Sequence, residues 1–305
     1  MMKALYSGVS GMRSHQTKMD VIGNNIANVN TYGYKSQRTT FRDVYYQQIK
    51  NPTDPDVIGG VIRGGTNSAQ VGYGAQIGSI DTIHTISGYS PTNRSTDLYI
   101  NGEGYLTVQT SNGDTLYTRL GALGFDEAGN LVDVNGASVM GWNVEDYGAG
   151  PEYTPDYESG KTASPPTVSP LTIKEFDNFK NITINADGTI TGTTKSAMTD
   201  PSTTVPEDKI VVIGQIAIAN IPNNNALVLE GNSYYRAGNN TGNITYEVAG
   251  TQGTGELVTY GLEMSNVDLA NEFSDMIITQ RGYQANTKII SVVDQMLEEL
   301  VNLKR

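Results

Sequence analysis

Residues 265–305 read SNVDLANEFSDMIITQRGYQANTKIISVVDQMLEELVNLKR. This stretch decides the fold, because its periodicity and both its ends agree on one long α-helix. Ser265 with Asp268 three residues on forms a capping box. Asp268, Glu272 and Asp275 put negative charge in the early turns, and Lys304 and Arg305 put positive charge at the end, each sign suiting the helix dipole. Leu269, Met276, Tyr283, Ile290 and Leu297 recur every seven residues, and Phe273, Val293 and Leu300 widen the row into a stripe that needs a partner along its length. At 1.5 Å per residue the helix is expected to be roughly 60 Å long, so the partner is another long helix or neighbouring copies of the chain. Gly282 sits inside this helix at a cost of roughly 1 kcal/mol relative to alanine, which points to a neighbouring backbone or ring packed where a side chain would be.

The other end of the chain supplies the mate. Lys3 to about Val29 has Leu5, Met12, Met19 and Ile26 at sevenfold spacing, joined by Val9, Ile22 and Val29. Asn24, Asn25, Asn28 and Asn30, followed by Gly33, mark its end, since asparagine bonds the backbone with its side chain and glycine tolerates left-handed geometry. The two helices are expected to pair in a coiled-coil-like layer, with Leu5, Met12, Met19, Ile26, Leu269, Phe273, Met276, Tyr283, Ile290 and Leu297 as its seam.

Between them lies β structure. From Tyr34 to Pro91 the chain is extended and turn-rich, broken by Gly59, Gly60, Gly64, Gly65, Gly72, Gly74 and Gly78; these glycines fit no phosphate-binding spacing, so a connecting segment is expected. From Thr96 to Trp142 short apolar pieces (Leu98–Ile100, Tyr105–Val108, Leu116–Thr118, Leu131–Val132, Ser138–Met140) alternate with Asn101-Gly102, Asn112-Gly113 and Asn135-Gly136. Each Asn-Gly pair predicts a type I′ hairpin, which needs positive φ at both central residues. Val144 to Pro206 holds seven of the eleven prolines and reads as an inserted module with a small sheet around Leu171–Ile173 and Ile182–Ile190. Strand texture resumes at Lys209–Ile213 and continues to Gly261. The expected fold is α+β and nested: residues 1–30 with 262–305 form a helical domain, 31–95 a glycine-rich connector, 96–143 with 208–261 a β domain, and 144–207 a proline-rich outer module.

Composition narrows the function. Twenty basic against thirty-two acidic residues, net charge −12, with no basic cluster, argue against nucleic acid or an anionic membrane surface as partner. No cysteine is present, which removes thiolate chemistry and cysteine-ligated metals and suits life outside the reducing cytoplasm. No apolar run approaches the roughly 20 residues of a transmembrane helix, so no membrane insertion is expected, and Met1 to Gly11 lacks the apolar core of a cleaved signal peptide. Catalysis finds little support: His15 and His84 are the only histidines, and the carboxylate pairs Asp54/Asp56, Asp126/Glu127 and Glu298/Glu299 fall in turns or on a helix surface. Asn185-Ala186-Asp187-Gly188-Thr189 starts like a calcium loop but lacks the later glutamate. No enzyme activity, metal or cofactor is expected.

The two ends also carry a resemblance. Asn24-Asn25-Ile26-Ala27-Asn28-Val29-Asn30-Thr31-Tyr32-Gly33-Tyr34-Lys35 resembles the N-terminal signature of bacterial flagellar rod and hook axial proteins. Ser265-Asn266-Val267-Asp268-Leu269, Gln280-Arg281-Gly282-Tyr283-Gln284-Ala285-Asn286 and the ending Glu299 to Arg305 resemble the family's C-terminal signature in its hook form. Asp97 to Tyr105 and Gly141-Trp142 look like further family landmarks. Tyr34 and Tyr283 stand where phenylalanine is frequent, and an aromatic is kept at each.

The resemblance implies a subunit of the flagellar hook that polymerises into a hollow curved tube, helices inside and β domains outside, transmitting torque and letting exported subunits pass. It implies self-association, rod, hook-cap and hook–filament junction proteins as further partners, and export to the flagellum by the type III apparatus without a cleaved signal peptide. A distal rod subunit of the same family is the second reading. Gly65-Thr66-Asn67, Gln70-Val71-Gly72, the proline-rich run and the hook-like ending place the hook first. Gln280, Gln284, Thr287, Ser291, Gln295, Glu298 and Asn302 form a mostly uncharged polar stripe, opposite an apolar arc, that is expected to line the channel. A third reading comes from another class: eighteen tyrosines against five phenylalanines suit a secreted β-rich carbohydrate-binding protein or hydrolase as well as wet subunit contacts.

Overall fold

In the computed structural model the chain divides into two compact units, and neither is continuous in sequence. One comprises Met1–Asn28, Ser36–Ile83 and Val267–Arg305; the other comprises Val29–Lys35 and His84–Asn266. The structure describes residues 2–58, 61–144, 168–174, 176–195, 198–199, 204–205 and 208–303. Lys304, Arg305 and about half of the proline-rich run lie outside the described residues.

The first unit contains two helices and three β ribbons. Helix α1 (Met2–Ala27) has no proline and ends within the asparagine-rich run, just before Asn28. Asn28 bonds the Asn24 carbonyl twice, with its backbone N at 3.1 Å and its Nδ2 at 2.9 Å. Strands β1 (Gln37–Asp43), β2 (Tyr46–Lys50), β3 (Asp56–Ile58), β4 (Val61–Arg63), β5 (Ala69–Gly72) and β6 (Ala75–Thr82) follow. They pair antiparallel as β1 with β6, β2 with β5, and β3 with β4, so the segment read as a connector is a nested set of ribbons. Its glycines mask this in the sequence, because Gln37 pairs with Thr82 and Tyr46 with Gly72, and only the tertiary pairing reveals the ladder.

Helix α2 (Leu269–Asn302) has 34 residues, about 51 Å at the standard rise, shorter than the sequence suggests. The difference lies in part at its start. Asp268, not Ser265, is the N-cap: its Oδ1 accepts from Ala270 N at 2.9 Å and Asn271 N at 3.4 Å. Ser265 belongs to the other unit, where its carbonyl accepts from Ser87 Oγ at 2.8 Å.

The described residues of the second unit are mostly β strands and turns, with single 3-10 turns at Phe176–Asn178 and Asn224–Ala226. Its strands are β7 (Tyr89–Pro91), β8 (Leu98–Asn101), β9 (Tyr105–Gln109), β10 (Thr115–Thr118), β11 (Leu123–Phe125), β12 (Leu131–Asp133), β13 (Ser138–Asn143), β14 (Ser169–Pro170), β15 (Phe179–Ile184), β16 (Thr189–Thr194), β17 (Met198–Thr199), β18 (Thr204–Val205), β19 (Ile210–Ile216), β20 (Ile218–Asn220), β21 (Val228–Gly231), β22 (Tyr234–Arg236), β23 (Thr245–Glu247), β24 (Glu256–Thr259) and β25 (Gly261–Glu263). The main sheet runs β15-β16-β19-β13-β9-β10-β22-β21, with β11, β12, β14, β20 and β23 attached to it. Strands β15 and β16 come from the run read as a separate module, yet they reach the central strand β13 through β19. The reason is burial: Ile184, Ile190, Ile213 and Leu171 share one apolar core with Leu106, Val108, Leu131 and Val139.

The Asn-Gly turns differ from type I′. Gly102, Gly113 and Gly136 have positive φ, but none of the three asparagines does. In the two tight hairpins a three-residue loop is used instead: Gly113 N bonds Thr110 O at 2.8 Å and Gly136 N bonds Asp133 O at 3.1 Å. Such loops place a type I turn before one left-handed residue, so only the glycine needs positive φ. Asp126–Asn130 and Asn185–Thr189 repeat the pattern at Gly129 and Gly188. Three consecutive positive φ values occur at Gly231 (90°), Asn232 (51°) and Ser233 (62°), where β21 turns into β22.

Candidate assembly surface

The residues of α1 and α2 that touch are smaller and more polar than a heptad seam. The helices run antiparallel. A β-carbon added at Gly8 would meet Ile290 Cγ1 at 3.4 Å, one at Gly11 would meet Asn286 Nδ2 at 2.8 Å, and one at Gly282 would meet His15 Cε1 at 2.7 Å. Lys18 Nζ pairs with Asp275 Oδ2 at 3.1 Å, and Asn25 Nδ2 donates to Glu272 Oε1 at 3.0 Å. Glycine at 8, 11 and 282 removes side chains where the backbones approach, so the glycines set a short interhelical distance rather than merely being tolerated.

Asn25 ties three elements together. Its Oδ1 accepts from Gln37 N at 3.0 Å and its Nδ2 donates to Gln37 O at 2.8 Å, so the carboxamide mimics one rung of a β ladder at the start of β1. The second amide hydrogen reaches Glu272 on α2. Asn25 is buried, and all four bonding positions matter in such a place. Burial raises the Glu272 carboxyl above its ordinary value, which the Asn25 bond opposes. The sequence marks Asn25 only as a helix stop; its reach to Gln37 and Glu272 depends on contacts 12 and 247 residues away.

Ribbon β1–β6 lies on α1. Ser14 Oγ donates to Ala75 O at 3.2 Å, and the His15 and Phe41 rings stand 5.6 Å apart. A β-carbon at Gly74, whose φ is +116°, would meet Ser10 Oγ and the Ser7 Cα.

The seam positions divide. Leu5, Met12, Met19, Ile26, Met276, Tyr283 and Ile290 are half-buried, with Met12 Sδ 3.8 Å from Thr287 Oγ1, whereas Leu269, Phe273 and Leu297 are exposed. Gln280, Gln284, Thr287, Ser291, Gln295, Glu298 and Asn302 are all exposed, and Thr287 and Ser291 turn their hydroxyls onto their own helix. Ile278, Ile289, Val292 and Met296 are also exposed, although Ile289 Cγ2 would lie 3.7 Å from a β-carbon at Gly8 on α1. Ala285, Ile289 and Val292 line a shallow groove there of about 410 Å³. In one chain, α1 covers only one side of α2.

Both histidines are packed among neighbouring side chains. His15 packs under Gly282, and its pKa is lowered by burial and by Lys18. His84 is held by the Tyr105 hydroxyl at Nδ1, 2.8 Å away. Asp187 Oδ1 accepts from Thr189 N and Oγ1 within the Asn185–Thr189 turn. Among the described residues no group of three His, Asp or Glu side chains could hold a metal ion.

Comparison with known proteins decides what this pair of helices belongs to. Three family models match the chain: "Flagella basal body rod protein" over residues 5–35, "Flagellar hook protein FlgE/F/G D1 domain" over 99–192, and "Flagellar basal body rod FlgEFG protein C-terminal" over 260–303. The chain is 41% identical to the flagellar basal-body rod protein FlgG of Bacillus subtilis strain 168, covering all of both chains. The chain belongs to the flagellar rod and hook protein family. Further relatives span both members. The rod protein FlgG of Buchnera aphidicola (subsp. Acyrthosiphon pisum) is 32% identical, over 99% of this chain and 100% of its own. The hook protein FlgE of Borreliella burgdorferi is 28% identical, over all of both chains. This rod and hook family chain is a structural subunit of the flagellar hook or rod. The family's N-terminal model ends at Lys35, just past the Asn25 knot and the helix stop, and its C-terminal model opens before Glu263 and covers all of α2.

Proposed function

We propose that the chain is the rod subunit, reversing the order that the sequence alone suggests. One observation carries this reading: the 41% agreement with a rod protein runs through the full length of both chains over 306 positions. The alignment with the Borreliella hook protein needs 446 positions for the 305 residues of this chain. A hook protein of that kind has extra sequence that this chain lacks.

Function on this reading is mechanical, with no catalysis and no cofactor. Subunits assemble into a helical tube through contacts that do not close into a ring. The exposed row Ile278, Ile289, Val292, Met296 and the exposed seam residues Leu269, Phe273 and Leu297 become buried between successive copies. The polar stripe from Gln280 to Asn302 lines a central channel, and β units lie outside the helical layer. Partners are further copies of the chain, the adjoining axial proteins and the type III export apparatus.

Deletion of the chain's gene from its own bacterium, followed by electron microscopy of purified basal bodies, tests the assignment. A rod subunit leaves truncated rods without hooks. Complete rods that lack only the hook would restore the hook reading.

A further inference from the structure

The chain crosses between its two units four times, and the β unit meets these crossings in three passages: Val29–Lys35, the stretch from His84, and the stretch ending at Asn266. All three meet at one carboxylate. Glu263 Oε1 accepts from Lys35 Nζ at 2.6 Å and from Ser87 N at 3.0 Å, while Arg119 Nη1 stands 3.5 Å from Oε2. The Glu263 carbonyl accepts from Gly33 N at 2.8 Å. Lys35 also donates to Thr85 O at 2.7 Å, and Arg119 Nη2 to Gly102 O at 2.8 Å. Around this centre Ser87 Oγ bonds Ser265 O at 2.8 Å, Asn266 Nδ2 bonds Thr85 Oγ1 at 3.0 Å, and Met264 N bonds Gly88 O at 2.9 Å.

The three charged side chains are almost fully removed from water: Lys35 is 1% exposed, Arg119 2% and Glu263 1%. Burying charge is costly, and an apolar cluster of equal volume is often as stable. What the ionic cluster adds is register. A carboxylate has fixed acceptor directions, so a one-residue slip of any passage would leave a buried charge unpaired, whereas apolar side chains would tolerate the shift. Gly33 permits the approach: its φ is +70°, and a β-carbon there would lie 3.0 Å from Leu120 N.

We propose that Glu263, with Lys35 and Arg119, is a clasp that locks the three passages onto the β unit, so that this unit stays closed whether or not α1 and α2 are paired. The clasp is independent of the choice between rod and hook. It gives assembly a folded block whose boundaries sit at Lys35, Thr85 and Glu263, and it leaves the helices free to order or disorder without unravelling the sheet.

Amide hydrogen exchange on the full chain, verified as a monomer by sedimentation, tests this. In the parent, the amides of Gly33, Ser87 and Met264 should exchange at one common slow rate, at least a hundredfold slower than amides in the middle of α1. Lys35→Met, which leaves Glu263 paired with Arg119, should speed Gly33 and Ser87 together at least tenfold while Val108 in the core stays slow. Glu263→Gln, which leaves two buried cations without a counter-charge, should act more strongly on the same amides. The clasp is refuted if Gly33 exchanges as fast as α1 in the parent monomer, a result that needs no folded variant. It is equally refuted if Lys35→Met leaves Ser87 protected.

Discussion

Gly282 on α2 lies directly against the His15 ring on α1: a β-carbon built on Gly282 would stand 2.7 Å from Cε1 and 2.8 Å from Nε2. The ring has little room to retreat, because Phe41 flanks it at 5.6 Å between centroids. Alanine at 282 gains up to about 1 kcal/mol of helix propensity but overpacks the seam by about 1–3 kcal/mol. Gly282→Ala should therefore be mildly disruptive and Gly282→Leu strongly so. The critical concentration for polymerisation reads this, and His15→Ala should recover part of the Gly282→Leu loss if the clash is with that ring.

Asn25→Leu removes the rung to Gln37 and the bond to Glu272 at once. Leaving the Gln37 N–H and the half-buried Glu272 carboxylate without their partner should cost about 2–4 kcal/mol. The expected outcome is a large rise in the critical concentration with the β unit's own thermal unfolding unchanged. An unchanged critical concentration would show that the knot does not hold the helices.

His84 predicts acid sensitivity in the β unit. Burial, then the nearby Lys35 and Arg119 charges, push its pKa down to about 4, and the Tyr105 hydroxyl and Tyr235 ring enclose the imidazole. The folded value lies below the ordinary 6.5, so the unfolded chain takes up the proton first. The contribution is therefore complete above about pH 6.5 and is lost as pH falls towards 4, where it levels off. It amounts to at most about 3 kcal/mol, less what partial exposure screens. An NMR titration of the His84 ring in the folded chain should give a midpoint well under 6.5; a midpoint at 6.5 or above would remove the effect.

The exposed apolar rows on α2 bear on the free subunit. Leu300, Val301 and Leu303 near its end are 47%, 66% and 83% exposed, and a long stripe left in water does not repay its ordering entropy. Residues 1 to about 30 and about 265 to 305 should therefore be largely disordered in the dilute monomer and helical in the polymer. Limited proteolysis should trim both ends quickly in the monomer, leave the β unit intact, and spare the ends in the tube. Equal protection in a verified monomer would mean that the helices fold unaided.

Channel lining makes a separate prediction. Gln284→Leu combined with Ser291→Leu replaces two exposed uncharged groups on one stripe, so passage of later-exported subunits should fall while the tube keeps its form by electron microscopy. Unimpeded passage through a normal tube would place that stripe elsewhere.

The two helices and the stop of α1 were legible in the sequence because local signals specify them: sevenfold apolar rows, uninterrupted helix formers and the asparagines running to Asn28 and Gly33; the start of α2 was misplaced at Ser265, because the cap is Asp268. The strands from Leu98 to Met140 were legible for the same reason, each being a short apolar run between turn residues. What the tertiary structure alone decided depends on residues distant in the chain. It seated glycines 8, 11 and 282 against the opposite helix, where apolar rows had suggested a larger seam. It also joined Asn25 to Glu272 and Lys35 to Glu263 across more than two hundred residues. A periodic pattern shows which side of a helix is apolar, but the partner for that side, and the polar side chain that can be buried beside it, are set by three-dimensional packing and by the need to satisfy every buried hydrogen-bonding group.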